Sequence, residues 1–254
     1  LIIRQNRIRK KANIALEEKN SEIMQQKEEI EAQRDEIESQ RDIATEQRDM
    51  ISDQKQKITD SINYARLIQN AIMPPENILR EIFTDFFIIN QPKDIVSGDF
   101  YWIRKIGKKV YITVADCTGH GVPGAFMSML GISFISEIVN ANQPDNASEI
   151  LDSLRRKVIK ALHQTGKTAE AKDGMDISFC VIDIESMNMS YSGANNPLYL
   201  IRKEELIQYK PDKMPVGIYQ RAKDNFTNHN IKILKNDIIY LFSDGFIDQF
   251  GGQD

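Results

Sequence analysis

Nine apolar residues stand seven positions apart in the first part of the chain: Leu16, Ile23, Ile30, Ile37, Ala44, Ile51, Ile58, Ala65 and Ile72. No other feature restricts the fold so strongly. A heptad phase kept over eight repeats calls for helix from end to end, with a seam that a second helix must cover. The same stretch contains no glycine, no proline before Pro74, and Tyr64 as its single aromatic residue. It lacks the material for a globular core and also anything that would break a helix. The complementary seam position reads Gln26, Gln33, Gln40, Gln47 and Gln54, with Ile43 and Met50 beside the isoleucines. Ile at one seam position and Gln at the other leaves about half the usual burial, so such a pair dimerises weakly and holds its register loosely. Residues 1–73 are expected to be a parallel, homodimeric coiled-coil signalling linker, ~90–100 Å long at ~1.5 Å per residue. The alternative is a solvated spacer helix.

The N-terminus reads Leu1-Ile2-Ile3, then Arg4, Arg7, Arg9, Lys10 and Lys11, with no acid before Glu17. An apolar end followed by a basic cluster is the pattern of the cytoplasmic flank of a membrane helix. The expectation is a membrane-anchored sensor region upstream of Leu1, against the alternative of a basic helix start. The remainder of the chain matches a cytoplasmic protein, held at the inner face of the membrane where such an anchor exists. No apolar run of about 18 residues is present, nor is a charged-then-apolar signal peptide. Two cysteines, Cys117 and Cys180, make no disulfide framework and suit a reducing compartment. A net charge of −4 excludes the basic footprint of a general nucleic-acid binder.

From Pro74-Pro75 onward the pattern changes: all 13 glycines fall at Gly98 or later, together with nearly all the aromatic residues. Residues 74–254 are expected to be one compact domain. Phe86–Ile89, Phe100–Ile103 and Val110–Val114 read as strands. Two helices follow, Val122–Val139 and Asn146–His163, the second capped by Asp145 or Asn146. Strands resume at Ile177–Ile184, Met189–Ser192, Leu198–Arg202, Ile231–Leu234 and Ile238–Phe242. Strands, two helices and more strands with short connections indicate an α+β fold with largely antiparallel sheets, the helices covering sheet faces.

The informative residues sit at strand ends. Ser97-Gly98-Asp99 precedes the Phe100 strand; Asp116-Cys117-Thr118-Gly119-His120-Gly121 follows the Val110 strand; Ser243-Asp244-Gly245 follows the last one. A Gly-Asp pair at a strand end is usually only a turn. Three such carboxylates converging on one sheet edge, with glycines that let backbone carbonyls approach, offer the oxygen ligands that hard divalent cations need.

In this order the motifs, with Ser192-Gly193-Ala194-Asn195-Asn196-Pro197 and Met214-Pro215-Val216-Gly217, resemble the PPM (type 2C) metal-dependent serine/threonine protein phosphatases. The closer resemblance is to the bacterial branch typified by stage II sporulation protein E and the phosphatases of stress sigma-factor pathways. It covers about residues 60–254. It implies a β-sandwich flanked by helices, with two Mn²⁺ or Mg²⁺ ions at the sandwich edge. It also implies Asp99 and Asp116 as dimetal carboxylates, the Cys117 carbonyl as a backbone ligand, Asp244 as a further ligand, and His120 as a candidate proton donor to the leaving group. His120 could instead cap the helix that follows it. Asp176 stands where relatives often carry Thr and is a further candidate at the site; Trp102 replaces a residue that is often acidic. In the family a later strand brings another Asp to the metals, so the resemblance implies that the last elements of the phosphatase domain lie beyond Asp254. The implied reaction is hydrolysis of phosphoserine or phosphothreonine on a regulatory protein in bacterial signal transduction, the branch pointing to a sigma-factor antagonist, under control of the coiled coil.

Two other classes compete. A sensor histidine kinase would need a phospho-acceptor in the long helix, yet no histidine precedes His120. A pseudophosphatase, serving as a binding scaffold, would keep the fold without the chemistry; the retained Asp99, Asp116 and Asp244 argue against it.

Overall fold

The computed structural model describes residues 2–166 and 173–246. Helix α1 (Ile2–Ile72) runs unbroken for 71 residues. Its seam is open: Ile23, Ile30, Ile37, Ile51 and Ile58 are all more than half exposed. The chain divides into two compact units, residues 1–60 and 61–254, so the second begins inside α1 rather than at the change of composition near Pro74. Within that second unit Ile62, Ala65, Gln69 and Met73 lie at i, i+3 and i+4 spacings and are partly or fully covered.

The second unit continues with α2 (Glu76–Ile82), β1 (Phe100–Ile106), β2 (Lys109–Cys117), α3 (Gly121–Asn142) and α4 (Ala147–Ala161). The strands β3 (Met175–Asp183), β4 (Asn188–Ala194), β5 (Leu198–Arg202), β6 (Glu205–Tyr209), β7 (His229–Lys232) and β8 (Ile238–Tyr240) follow. A single 3₁₀ turn, Asp244–Phe246, ends the described chain. All strand pairs are antiparallel, in a five-stranded sheet β1-β2-β3-β4-β7 and a three-stranded sheet β6-β5-β8.

The period of two along each central strand divides the core into two layers. Tyr111, Ala115, Ile177, Phe179 and Val181 face a cluster with Ile135, Val139, Leu151 and Leu154 of α3 and α4. Their alternates Val110, Cys180, Ile182, Met189 and Tyr191 meet Leu198 and Leu200 of the smaller sheet. The result is helices on sheet on sheet, the expected α+β sandwich. Against the expectation of no apolar run long enough, helix α3 has the length and apolar composition of a membrane span. That composition reflects its place in the core, where nine of its residues are buried.

Several expectations change. Phe86–Ile89 forms no strand; Phe86 packs under the Arg80 guanidinium at 5.6 Å and the Phe87 ring lies 5.9 Å from that of Tyr240 on the edge strand β8. Strand β6 and helix α2 escape the sequence reading. The β5–β6 turn carries positive φ at Lys203 (50°) and Glu204 (68°), so the hairpin lacks the glycine or asparagine that normally signals it. Asn146 stands at the N-cap of α4 without capping it. Its amide donates to Glu149, while Ser190 Oγ and Asn228 Oδ1 accept from the N–H groups of Ala147 and Ser148 at 2.8 and 3.4 Å.

Candidate metal centre

Strand register brings the motifs together. Phe100 pairs with Ala115, Asp116 with Asp176, and Ile177 with Ala194. Asp99, Asp116, Asp176 and Asn195 therefore form one row across the ends of four neighbouring strands. Asp116 and Asp176 occupy the strand positions whose alternates face α3 and α4, so they lie at the rim of the layer between the sheets. Asn195, with φ 56°, turns the chain between β4 and β5 and donates from Nδ2 to Asp176 Oδ1 at 2.8 Å. The 3₁₀ turn closes over the row: Ser243 Oγ donates to Asp99 Oδ2 at 2.7 Å.

Asp116 is the centre of this group. Burial first, then the negative charge of Asp99 and contact with Asp244, push its carboxyl up to about 8. The carboxyls of Asp99 and Asp244 both stand close enough to raise it. Two carboxylates both accept, so such a contact needs a shared proton or a cation between them. Asp176 is also raised, by burial above all and by the charge of Asp244, against the opposing bond from Asn195. No lysine or arginine stands among the causes of either shift. Among the described residues, no three of these side chains stand as a ready-made cation cage. The donor set nevertheless fits divalent cations: hard carboxylate oxygens, clustered and unneutralised.

The backbone around the row is drawn in tightly. A Cβ on Gly98 would lie 2.8 Å from the Gly119 carbonyl oxygen and 3.2 Å from that of Cys117; one on Gly124 would lie 2.4 Å from Gly119 O. Any side chain at Gly98 or Gly124 would push the Asp99 segment, the Asp116 loop and the start of α3 apart. Through this packing the Cys117 carbonyl lies beside the segment that carries Asp99. The Cys117 side chain points into the core, and burial pushes its thiol pKa up.

His120 occupies the N-cap position of α3 but its side chain makes no cap bond, so the capping reading of this residue fails. Its Nδ1 meets Asp94 Oδ2 at 2.8 Å, and the imidazole remains exposed. Asp94, Asn195 and Ser243 carry no sequence signal of their own that marks them as site residues. Asp94 is 26 residues from its partner and in no recognisable spacing with it.

Residues 106–254 match the family described as Stage II sporulation protein E (SpoIIE). The chain belongs to the SpoIIE family. Among solved structures it is similar to the SiaA-PP2C domain of Pseudomonas aeruginosa, at 31% identity and TM-score 0.68, covering 78% of this chain and 76% of that one. It is also similar in fold to the PP2C phosphatase domain with a regulatory-domain fragment of SpoIIE from Bacillus subtilis, at 19% identity and TM-score 0.50, covering 60% of this chain and 42% of that one. No curated protein matches the chain. Family membership makes this a protein serine/threonine phosphatase of the metal-dependent PP2C type, with the family match over residues 106–254.

Proposed function

We propose that this protein hydrolyses phosphoserine or phosphothreonine on a regulatory phosphoprotein, and that residues 1–73 control it as a homodimeric coiled coil. The observation that carries the reading is the strand register that sets Asp99, the half-buried Asp116 and Asp176 side by side across three neighbouring strand ends. Asp99, Asp116 and Asp244 would hold two divalent cations, Mn²⁺ or Mg²⁺, with the Cys117 carbonyl as a backbone ligand. Asp176, bonded to Asn195, would add charge from the neighbouring strand. When bound, two such cations supply a water deprotonated near neutral pH and neutralise charge on the phosphoryl oxygens.

The protein's own groups have separate tasks. Ser243 holds one oxygen of Asp99 and so fixes how that carboxylate turns. Asp94 accepts from Nδ1 of His120 and orients the ring; in the imidazolium form Nε2 carries the proton that would pass to the departing serine or threonine oxygen, leaving the neutral ring. Neither cysteine acts as nucleophile: both thiols are buried and their pKa values are pushed up by burial. A phosphoserine on a sigma-factor antagonist suits the branch, and a membrane-anchored sensor upstream suits the basic start of α1.

The test is hydrolysis of a chromogenic phosphate ester by the full-length protein, titrated with Mn²⁺ and Mg²⁺. Saturable, metal-dependent turnover that vanishes in Asp116→Asn is expected. Metal-independent turnover, or none at any metal concentration, would leave a binding scaffold as the better reading.

A further inference from the structure

Gln69 is the single buried side chain among the described side chains of α1, at 5% exposure. A glutamine in that position has to satisfy both ends of its amide, and it does so on one short segment of the phosphatase unit. Its Oε1 accepts from the Ser97 N–H at 3.1 Å, and its Nε2 donates to the Ser97 carbonyl at 2.7 Å. Nε2 also meets Ser128 Oγ of α3 at 2.9 Å. Ser128 in turn donates within reach of the carbonyls of Ala125 and Ser97, at 2.9 and 3.3 Å. A residue bonded at both its N–H and its C=O behaves like one held in a strand ladder, except that a single side chain supplies both contacts.

Ser97 is separated from Asp99 only by Gly98, which is the residue with no room for a Cβ against Gly119 and Cys117. A displacement of Ser97 is therefore passed on to Asp99 and to the Asp116 loop. We propose that Gln69 is a positioning residue of the metal centre. It fastens the end of α1 to the Ser97-Gly98-Asp99 segment and to α3, so that the seating of that helix sets where the Asp99 carboxylate stands. Rotation or a shift of α1 by part of a turn withdraws the amide from all three partners together. This inference rests on the metal-centre reading above and adds to it the residue by which the linker reaches the site.

The experiment replaces Gln69 by Met, which keeps the length and burial of the side chain but neither hydrogen-bonding group. In the full-length protein, Gln69→Met should raise the Mn²⁺ concentration for half-maximal turnover about tenfold. At saturating Mn²⁺ its kcat should stay within about twofold of wild type. Mn²⁺ affinity measured by calorimetry without substrate should fall by the same factor as the half-maximal concentration rises. A folded Gln69→Met protein with unchanged Mn²⁺ affinity overturns the proposal. If Gln69→Met does not fold, Ser128→Ala removes one of the three contacts and should raise the half-maximal Mn²⁺ about two- to threefold; no change there overturns it equally. Asp116→Asn separates the two readings. If that variant binds Mn²⁺ like wild type, the metal-centre assignment fails, whatever Gln69 does.

Discussion

Isoleucine is used in opposite ways by the two regions of this molecule. Ile37 on α1 is 65% exposed, whereas Ile135 on α3 is fully buried against the five-stranded sheet. The helical region carries its order in a repeat and completes no core of its own. The phosphatase region carries little repetition and buries its apolar residues in two layers on either face of one sheet. On the proposed reading, a region of the first kind would gain its stability from a partner, and its state would depend on concentration and register. A region of the second kind folds around itself, and that rigidity keeps four acidic or amide side chains in one row.

The largest effect that would sharpen this contrast is at the row. Asp116→Asn should lower metal-dependent turnover at limiting metal by at least about 10³-fold, because it leaves the cations under-neutralised and the central carboxylate gone. Sedimentation of the same variant should show the oligomeric state of wild type. Turnover within tenfold of wild type would refute the assignment. Next in size, Ile135→Ala should destabilise the phosphatase region by about 2–5 kcal/mol in a denaturant titration. Ile37→Ala should change that transition by no more than ~0.5 kcal/mol. Equal effects from the two would erase the distinction drawn between the regions.

A smaller effect is expected in the seam. Replacing Gln33, Gln40 and Gln47 together by Leu should tighten the dimer at least ~100-fold, since each added side chain finds apolar surface to cover. Analytical ultracentrifugation reads this directly, and an unchanged monomer would show that the helix is a spacer. The smallest effect concerns pH. The Asp116 carboxyl keeps its proton up to about 8 in the folded protein, whereas in an unfolded chain it loses it near ~3.9. Between those values the folded state binds the extra proton, so its stability falls as pH rises. In chelator, the thermal midpoint should drop by a few degrees from pH 6 to pH 8, and excess Mn²⁺ at pH 8 should restore it. A midpoint that rises over that interval in chelator would contradict the sign.

The parts of this molecule that were readable in the sequence are those where one residue type has few other uses. Asp99, Asp116 and Asp244 stand out only together, because one such pair is usually a turn whereas three at strand ends beside glycines offer clustered oxygen ligands. The paired alternation of β2 and β3 is equally plain, since both faces of those strands are covered. Gln69 was not readable, for a helix already rich in glutamine gives no sign of the one that is buried. The Asp94–His120 contact was hidden for a different reason, as it joins a loop to a helix start without any local spacing. Phe86–Ile89 misled because β-forming side chains describe a preference for a half-buried surface, which these residues meet through side-chain packing without ladder pairing.

The burial of both thiols has a consequence for working conditions. Phosphatases that attack through a cysteine need an exposed thiolate, and peroxide or an alkylating reagent silences them by converting that sulfur. Cys117 and Cys180 lie within the core, with their thiols held in the neutral, unreactive form. Dephosphorylation by this protein would continue through an oxidative burst that stops thiol-dependent enzymes, and a signal carried by its phosphoprotein would outlast the insult.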